Sequence, residues 1–232
     1  MSYLNWNTKI VTDFSPTSLD ALYEQGYVAT RVDKSTFNQT RSVRIRLADF
    51  ELSSENRRIL RKVEKVSIET HPLPYADYHW TIHKLAKDFY TTKFGEDTFS
   101  ANKIKELLSE ADKTSFNTLL VFKEGARVVG YCIALKTDTL LHYSYPFYKL
   151  DDETAPGGAL SSLGLGMMTK AIEWAKQQNN TTSGVGDKSL QYAYLGSLQR
   201  PTDTYKLQFS GLEWFDGEKW QKDIEPLKEI LK

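Results

Sequence analysis

The chain has 232 residues, 40% hydrophobic and 26% charged, with 30 basic side chains against 30 acidic ones, a balance that fits an ordinary globular protein and excludes disordered, collagen-like and coiled-coil classes. Its longest apolar run, VVGYCIAL at 128–135, is far shorter than the ~20 residues that span a bilayer. The N-terminal MSYLNWNTKI lacks the apolar stretch of a signal peptide, so a cytoplasmic location with no membrane partner is expected. The single cysteine, Cys132, excludes a disulfide framework and a cysteine metal cage, and its place inside the apolar run reads as a small buried hydrophobe.

In chain order, Ser18 to Gly26 (SLDALYEQG) predicts a short helix, capped by serine and closed by glycine, with Leu19, Leu22 and Tyr23 as its apolar side. Ser42 to Phe50 alternates Val43, Ile45 and Leu47 against Arg44 and Arg46, the pattern of a half-buried strand with both arginines on its polar face. Ser53 to Glu64 continues as a helix that gathers Arg57, Arg58, Arg61 and Lys62 on one side. Between Tyr27 and Val66 ten basic residues stand against five acidic ones, although the whole chain is neutral. That asymmetry hints at a polyanion partner such as RNA, although on charge alone a solvated basic face is the favoured reading.

The stretch HPLPYADY, with Pro72 and Pro74, breaks both periodicities and marks a boundary between a basic module over 1–70 and a larger domain over 71–232. Asp77 to Phe94 and Ser100 to Ala111 follow as amphipathic helices. His79 and His83 lie four apart on the first of them, a spacing that can hold a metal, but no third ligand is apparent and no metal site is expected. Asn117 to Phe122 and Val128 to Leu135 form a hairpin turned at Gly125, and Thr139 to Tyr148 is an aromatic strand made irregular by Pro146. Leu160 to Gln178 carries Leu163, Met167, Met168, Ala171, Ile172 and Ala175 at helical spacing. A strand over Leu190 to Leu195, a helix or loop over Thr204 to Phe209, and a hairpin at Asp216-Gly217 complete an α+β chain.

The turn into the long helix reads Ser161-Ser162-Leu163-Gly164-Leu165-Gly166. With the order of elements it resembles the core of the Gcn5-related acyltransferase superfamily, whose pattern is Gln or Arg, two residues, Gly, one residue, then Gly or Ala. Ser161 stands where the long polar side chain belongs. Glycines at a helix start let a phosphate approach unpaired backbone amides; the same glycines also suit a tight turn packed against a sheet.

A second likeness covers nearly the whole chain. Tyr192-Ala193-Tyr194-Leu195-Gly196, then Tyr205-Lys206-Leu207-Gln208-Phe209 and Gly211-Leu212-Glu213, with Ser162-Leu163-Gly164 upstream and Gly26-Tyr27, Val43 to Phe50 and Ser53 to Lys62 further back, resemble the arginyl-tRNA-protein transferase family, including its bacterial leucyl-transferring branch. Relatives carry cysteines linked to an iron–sulfur or haem site. The corresponding loop here, Ser35 to Thr40, has none, so neither group is expected. Lys87-Asp88 replaces the family's Arg-His pair, and 197–204 departs from its usual sequence.

The resemblance implies a Gcn5-related mixed sheet with flanking helices and transfer of Arg or Leu from aminoacyl-tRNA, the co-substrate in place of any cofactor, to the α-amine of a protein with an acidic N-terminal residue, as in an N-degron route. Such an ester is already activated, so alignment, deprotonation of the amine and oxyanion stabilisation are the remaining demands. Tyr194 and Tyr205 are the candidate phenols, to donate to the carbonyl or hold the ribose, and Asp203 and Glu213 the candidate proton acceptors or amine binders. Lys206 would pair with the acidic acceptor side chain, and Ser162, Leu163, Gly164, Gly166 and Gly196 would shape the substrate site. Arg44, Arg46, Arg57, Arg58, Arg61 and Lys62 would hold tRNA phosphates. An acetyl-CoA-dependent N-acetyltransferase and a non-catalytic relative that binds RNA or protein ends are the alternatives.

Overall fold

In a computed structural model of the chain, residues 4–150, 162–181, 189–199 and 201–231 are described. The elements run β1 (Asn7–Ile10), α1 (Pro16–Glu24), β2 (Tyr27–Ala29), β3 (Thr36–Gln39), β4 (Ser42–Arg46), α2 (Ser54–Lys62), β5 (Val66–Pro72), α3 (Trp80–Phe94) and α4 (Ala101–Ser109). They continue with β6 (Thr118–Glu124), β7 (Arg127–Lys136), β8 (Leu140–Tyr148), α5 (Leu163–Thr181), β9 (Tyr192–Ser197), a 3-10 segment (Pro201–Gln208), β10 (Leu212–Phe215), β11 (Trp220–Gln221) and α6 (Glu225–Ile230). The class is α+β, as the sequence predicts. Strands β1, β3 and β2 form a small sheet, and the remaining eight form a mixed sheet in the order β11-β10-β4-β9-β8-β7-β6-β5.

Two units share these elements. The first takes Met1–Ser54, Lys136–His142 and Ile172–Lys232, and the second takes Glu55–Leu135 and Tyr143–Ala171. Residues 1–70, read from the sequence as one basic module, are thus divided between them.

In the first unit α1 is capped by Ser15, whose hydroxyl accepts from the Ser18 amide at 3.4 Å, so the cap lies three residues before the predicted one. Gly26 follows at φ +78° under the Phe215 ring, where a Cβ would come within 2.3 Å of ring carbon; both the turn and the contact require glycine. Strand β4 is the informative correction. Its arginines do share a face, but β10 and β9 flank it on both sides, with Arg44 opposite Glu213 in one register and Tyr194 in the other. The flanking strands supply Glu213 and Tyr194, which engage the Arg44 guanidinium, and Arg44 is only 3% exposed, whereas Arg46 at the strand's end stays in solvent. Strand β9 pairs in parallel with β8, Leu140 against Tyr192 and His142 against Tyr194. A parallel pair needs a crossover connection, and α5 lies in that connection.

In the second unit β5 pairs antiparallel with β6 over its whole length, Val66 against Glu124 through Pro72 against Thr118. The sequence reading missed this strand because its proline suggests a break; at the outer strand of the order a proline is tolerated. Helix α3 starts at Trp80, three residues later than predicted, since His79 is its cap and accepts from the Thr81 amide. Helix α4 is capped by Ser100 as expected. Among the described residues, no helix is long and apolar enough to cross a membrane.

Candidate active site

The chemistry-bearing side chains of the first unit converge on Arg44. Its Nε donates to Glu213 Oε2 at 2.8 Å, and its Nη1 donates to Glu24 Oε2 at 2.5 Å and to the Tyr194 hydroxyl at 3.0 Å. The guanidinium carbon also lies 3.9 Å from the Tyr192 ring centre and 4.1 Å from that of Trp220, distances at which an arginine plane stacks on aromatic faces. Burial works against the charge, but the Tyr194 phenol and the hydrogen bonds from Glu24, Tyr194 and Glu213 outweigh it and raise the guanidinium pKa further. Arg44 is thus permanently cationic and already spoken for.

A cavity of about 330 Å³ opens beside this cluster, lined by Asp20, Ala21, Glu24, Thr139, Leu140, Gln191, Tyr192 and Tyr194. Two elements build it. Helix α1 supplies Asp20 and Glu24 at i and i+4, one above the other on a helix face, while β9 supplies Tyr192 and Tyr194 on one strand face. Asp20 accepts from the Thr137 hydroxyl at 2.5 Å, which fixes the carboxylate in place. Burial pushes the Tyr194 phenol up, against the pull of Arg44, so Tyr194 is a neutral hydroxyl at physiological pH.

Behind Tyr194 the Tyr23 hydroxyl and His142 Nδ1 share a hydrogen bond of 2.7 Å, and the Tyr23 and Tyr194 rings meet edge to face at 4.9 Å. Burial, reinforced by the Lys206 charge, drives the His142 pKa down to about 3. The imidazole is therefore a neutral structural group.

Each predicted residue now has a place. Glu213, a candidate proton acceptor, is 6% exposed and holds Arg44. Asp203 accepts from the Gln199 amide at 3.0 Å. Lys206 is buried, donates to the Ser197 carbonyl at 2.6 Å and is lowered by burial to about 8, against the pull of Asp203. Tyr205 is 42% exposed on the 3-10 segment. Gly196, the last residue but one of β9, has φ +76°, and a Cβ there would stand 3.9 Å from His142 Nε2. Of these, only Tyr194 lines the cavity.

The remaining candidates divide between the units. Arg46 is half-exposed and pairs with Asp49 at 3.3 Å; Arg44 is 3% exposed and donates to Glu24 and Glu213. On α2, Arg57 and Arg61 are exposed, Lys62 is half-buried, and Arg58 pairs with Glu55 at 2.6 Å. In the second unit, Ser162 adopts φ 72° and its carbonyl accepts from the Gly166 amide at 2.9 Å, while Leu163 is fully buried. A Cβ on Gly164 would stand 2.7 Å from the Tyr148 hydroxyl, and one on Gly166 would stand 2.7 Å from Val63. Close packing alone accounts for both glycines. Ser161 lies outside the described residues. His83 hydrogen-bonds Tyr78 through Nδ1, and no metal-holding group of three or more His, Cys, Asp or Glu side chains occurs among the described residues.

Sequence reasoning missed Asp20, Glu24, Trp220 and His142. A signal existed for the first two, since carboxylates four apart on one helix repel each other unless something answers them.

The fold and this site together define an α+β chain in which a parallel strand pair carries the aromatic wall of a small acidic cavity. Among solved structures it is similar to L-PGS from Bacillus licheniformis, with TM-score 0.47 and 12% identity over 92% of this chain and 68% of that one. It is also similar to the Gcn5-related glucosamine N-acetyltransferase region of a fungal multi-domain beta-N-acetylglucosaminidase, with TM-score 0.42 and 11% identity over 93% of this chain and 24% of that one. No protein-family profile and no curated protein matches the chain.

Proposed function

We propose that the chain is an aminoacyl-tRNA-dependent transferase that moves arginine or leucine onto the N-terminal α-amine of a protein. The observation that carries this reading is the position of Tyr192 and Tyr194: the two phenols of the quoted Tyr-x-Tyr-Leu-Gly motif form the aromatic wall of the cavity. In the transfer step the neutral amine attacks the ester carbonyl carbon. A C–N bond forms, the C–O bond to the terminal ribose breaks, and the proton lost by the amine ends on the ribose hydroxyl. The Tyr194 hydroxyl accepts from Arg44, which polarises it and strengthens its own O–H as a donor to the developing oxyanion. Asp20 and Glu24 are placed to hold the incoming ammonium before it loses its proton. The acceptor's acidic side chain is not assigned to this cavity, because among the described residues the lining contains no basic side chain and Lys206 donates to Ser197.

The test uses arginyl-tRNA and leucyl-tRNA with labelled amino acids and peptides of varied N-terminus. Labelled peptide is expected, and Tyr194→Phe is expected to lower kcat by about 10²–10³-fold, the cost of losing one oxyanion donor. Failure of every charged tRNA to label any peptide with folded protein overturns the reading, and saturable acetyl transfer from acetyl-CoA would replace it. Exposed Arg57 and Arg61 on α2 are assigned to tRNA phosphates. Each changed to Ala should weaken tRNA binding and reduce the salt slope of the affinity by about one in fluorescence titration; slopes equal to wild type would remove α2 from the tRNA surface.

A further inference from the structure

We infer that the cavity beside Arg44 is a binding site for an alkyl cation, a guanidinium or primary ammonium, held by Asp20 and Glu24 and stacked on Tyr192 and Tyr194. Its volume of about 330 Å³ falls at the lower end of the roughly 300–1,000 Å³ of small-ligand sites, a size for one side chain or chain terminus. Among the described residues the lining contains two carboxylates and no basic group; Arg44, which reaches Glu24, Tyr192 and Tyr194 from beside it, is matched by Glu24 and Glu213, so an anion is disfavoured. An apolar occupant would strip water from both carboxylates and return nothing to them.

The charge pattern points the same way. Asp20 and Glu24 lie four apart on α1, where like charges destabilise a helix. Arg44 answers Glu24, but its guanidinium is also bound to Glu213 and so is divided between two acids. Among the described residues, Asp20 receives only the neutral Thr137 hydroxyl. The group lacking a counter-charge is therefore the carboxylate of a cavity wall whose other side is aromatic, the combination that selects flat or compact cations. Ala21 and Leu140 complete the lining and suit an alkyl stem. Assigning this cation to the donor's side chain or to the acceptor's α-ammonium rests on the transfer reading above; the binding itself does not.

The experiment is calorimetric titration of the full chain with L-argininamide, N-acetyl-L-argininamide, L-citrullinamide and N-acetyl-L-citrullinamide. The last carries no cation and is expected to bind at least about tenfold more weakly than L-argininamide, with the affinity for L-argininamide falling as salt rises. Binding of N-acetyl-L-argininamide but not L-citrullinamide identifies a side-chain cation, and the reverse identifies an α-ammonium. Asp20→Asn keeps an oxygen for Thr137 and should weaken L-argininamide at least about tenfold. Equal binding of the neutral N-acetyl-L-citrullinamide, no binding of any of the four, or an unchanged affinity in a folded Asp20→Asn chain overturns the inference. Cation binding without transfer from any charged tRNA would leave it standing and remove the transferase reading instead.

Discussion

Arg44→Met is expected to cost about 3–5 kcal/mol of stability in urea unfolding, the usual effect of removing one partner from a buried ion pair. The change strands Glu213, 6% exposed on β10, with a charge and no counter-ion, and takes the donor from Tyr194. It also removes the flat group against which Tyr192 and Trp220 pack. A double variant, Arg44→Met with Glu213→Leu, should recover much of the loss, because two apolar side chains of similar size in place of a buried pair are often neutral. A single variant within about 1 kcal/mol of wild type would show that the cluster contributes little, since surface-like pairs contribute only that much. Glu24→Gln should cost far less, because the Glu24 side chain is 61% exposed and water replaces the lost partner.

Acid unfolding provides the second large effect. His142 is held at about 3 in the fold by burial and the Lys206 charge, against an ordinary imidazole value near 6.5. Below pH 6.5 the unfolded chain takes up a proton there that the folded chain refuses. Stability therefore falls as pH drops from about 6.5 towards 3, by up to about 1.4 kcal/mol per pH unit from this one group. The measurement is the difference in unfolding free energy between wild type and His142→Gln across that window, which cancels the carboxylates common to both. The difference should shrink steadily as pH falls. A constant difference would mean that His142 protonates as easily in the fold as outside it.

How much of this could be read beforehand varied with the range of the interactions. Helix α4 and the β6–β7 hairpin were legible because their signals are local: a cap serine, a turn glycine, an apolar period. Strand β5 was not, since its ladder to β6 depends on partners about 50 residues away and its proline reads as a stop. The arginines of β4 illustrate the same limit. Alternation correctly put Arg44 and Arg46 on one face, but whether that face meets water depends on β9 and β10, which lie some 150 residues later. The site followed suit. Tyr194 is legible through its motif, whereas Asp20 and Glu24 lie off the apolar side of a short helix, belong to no motif, and join the site only because the fold brings them to one cavity with the β9 tyrosines.

Strand β4 brings one more consequence. Arg44 is separated by 150 residues from Tyr194 and by 169 from Glu213, so during synthesis the guanidinium emerges long before either partner exists. Both of its strand edges stay open until β9 and β10 have been made, and closing such distant pairings is slow. A charged side chain on an unpaired strand discourages neighbouring chains from adding to it, and Arg44 gives the open strand such a charge before the fold encloses it at 3% exposure.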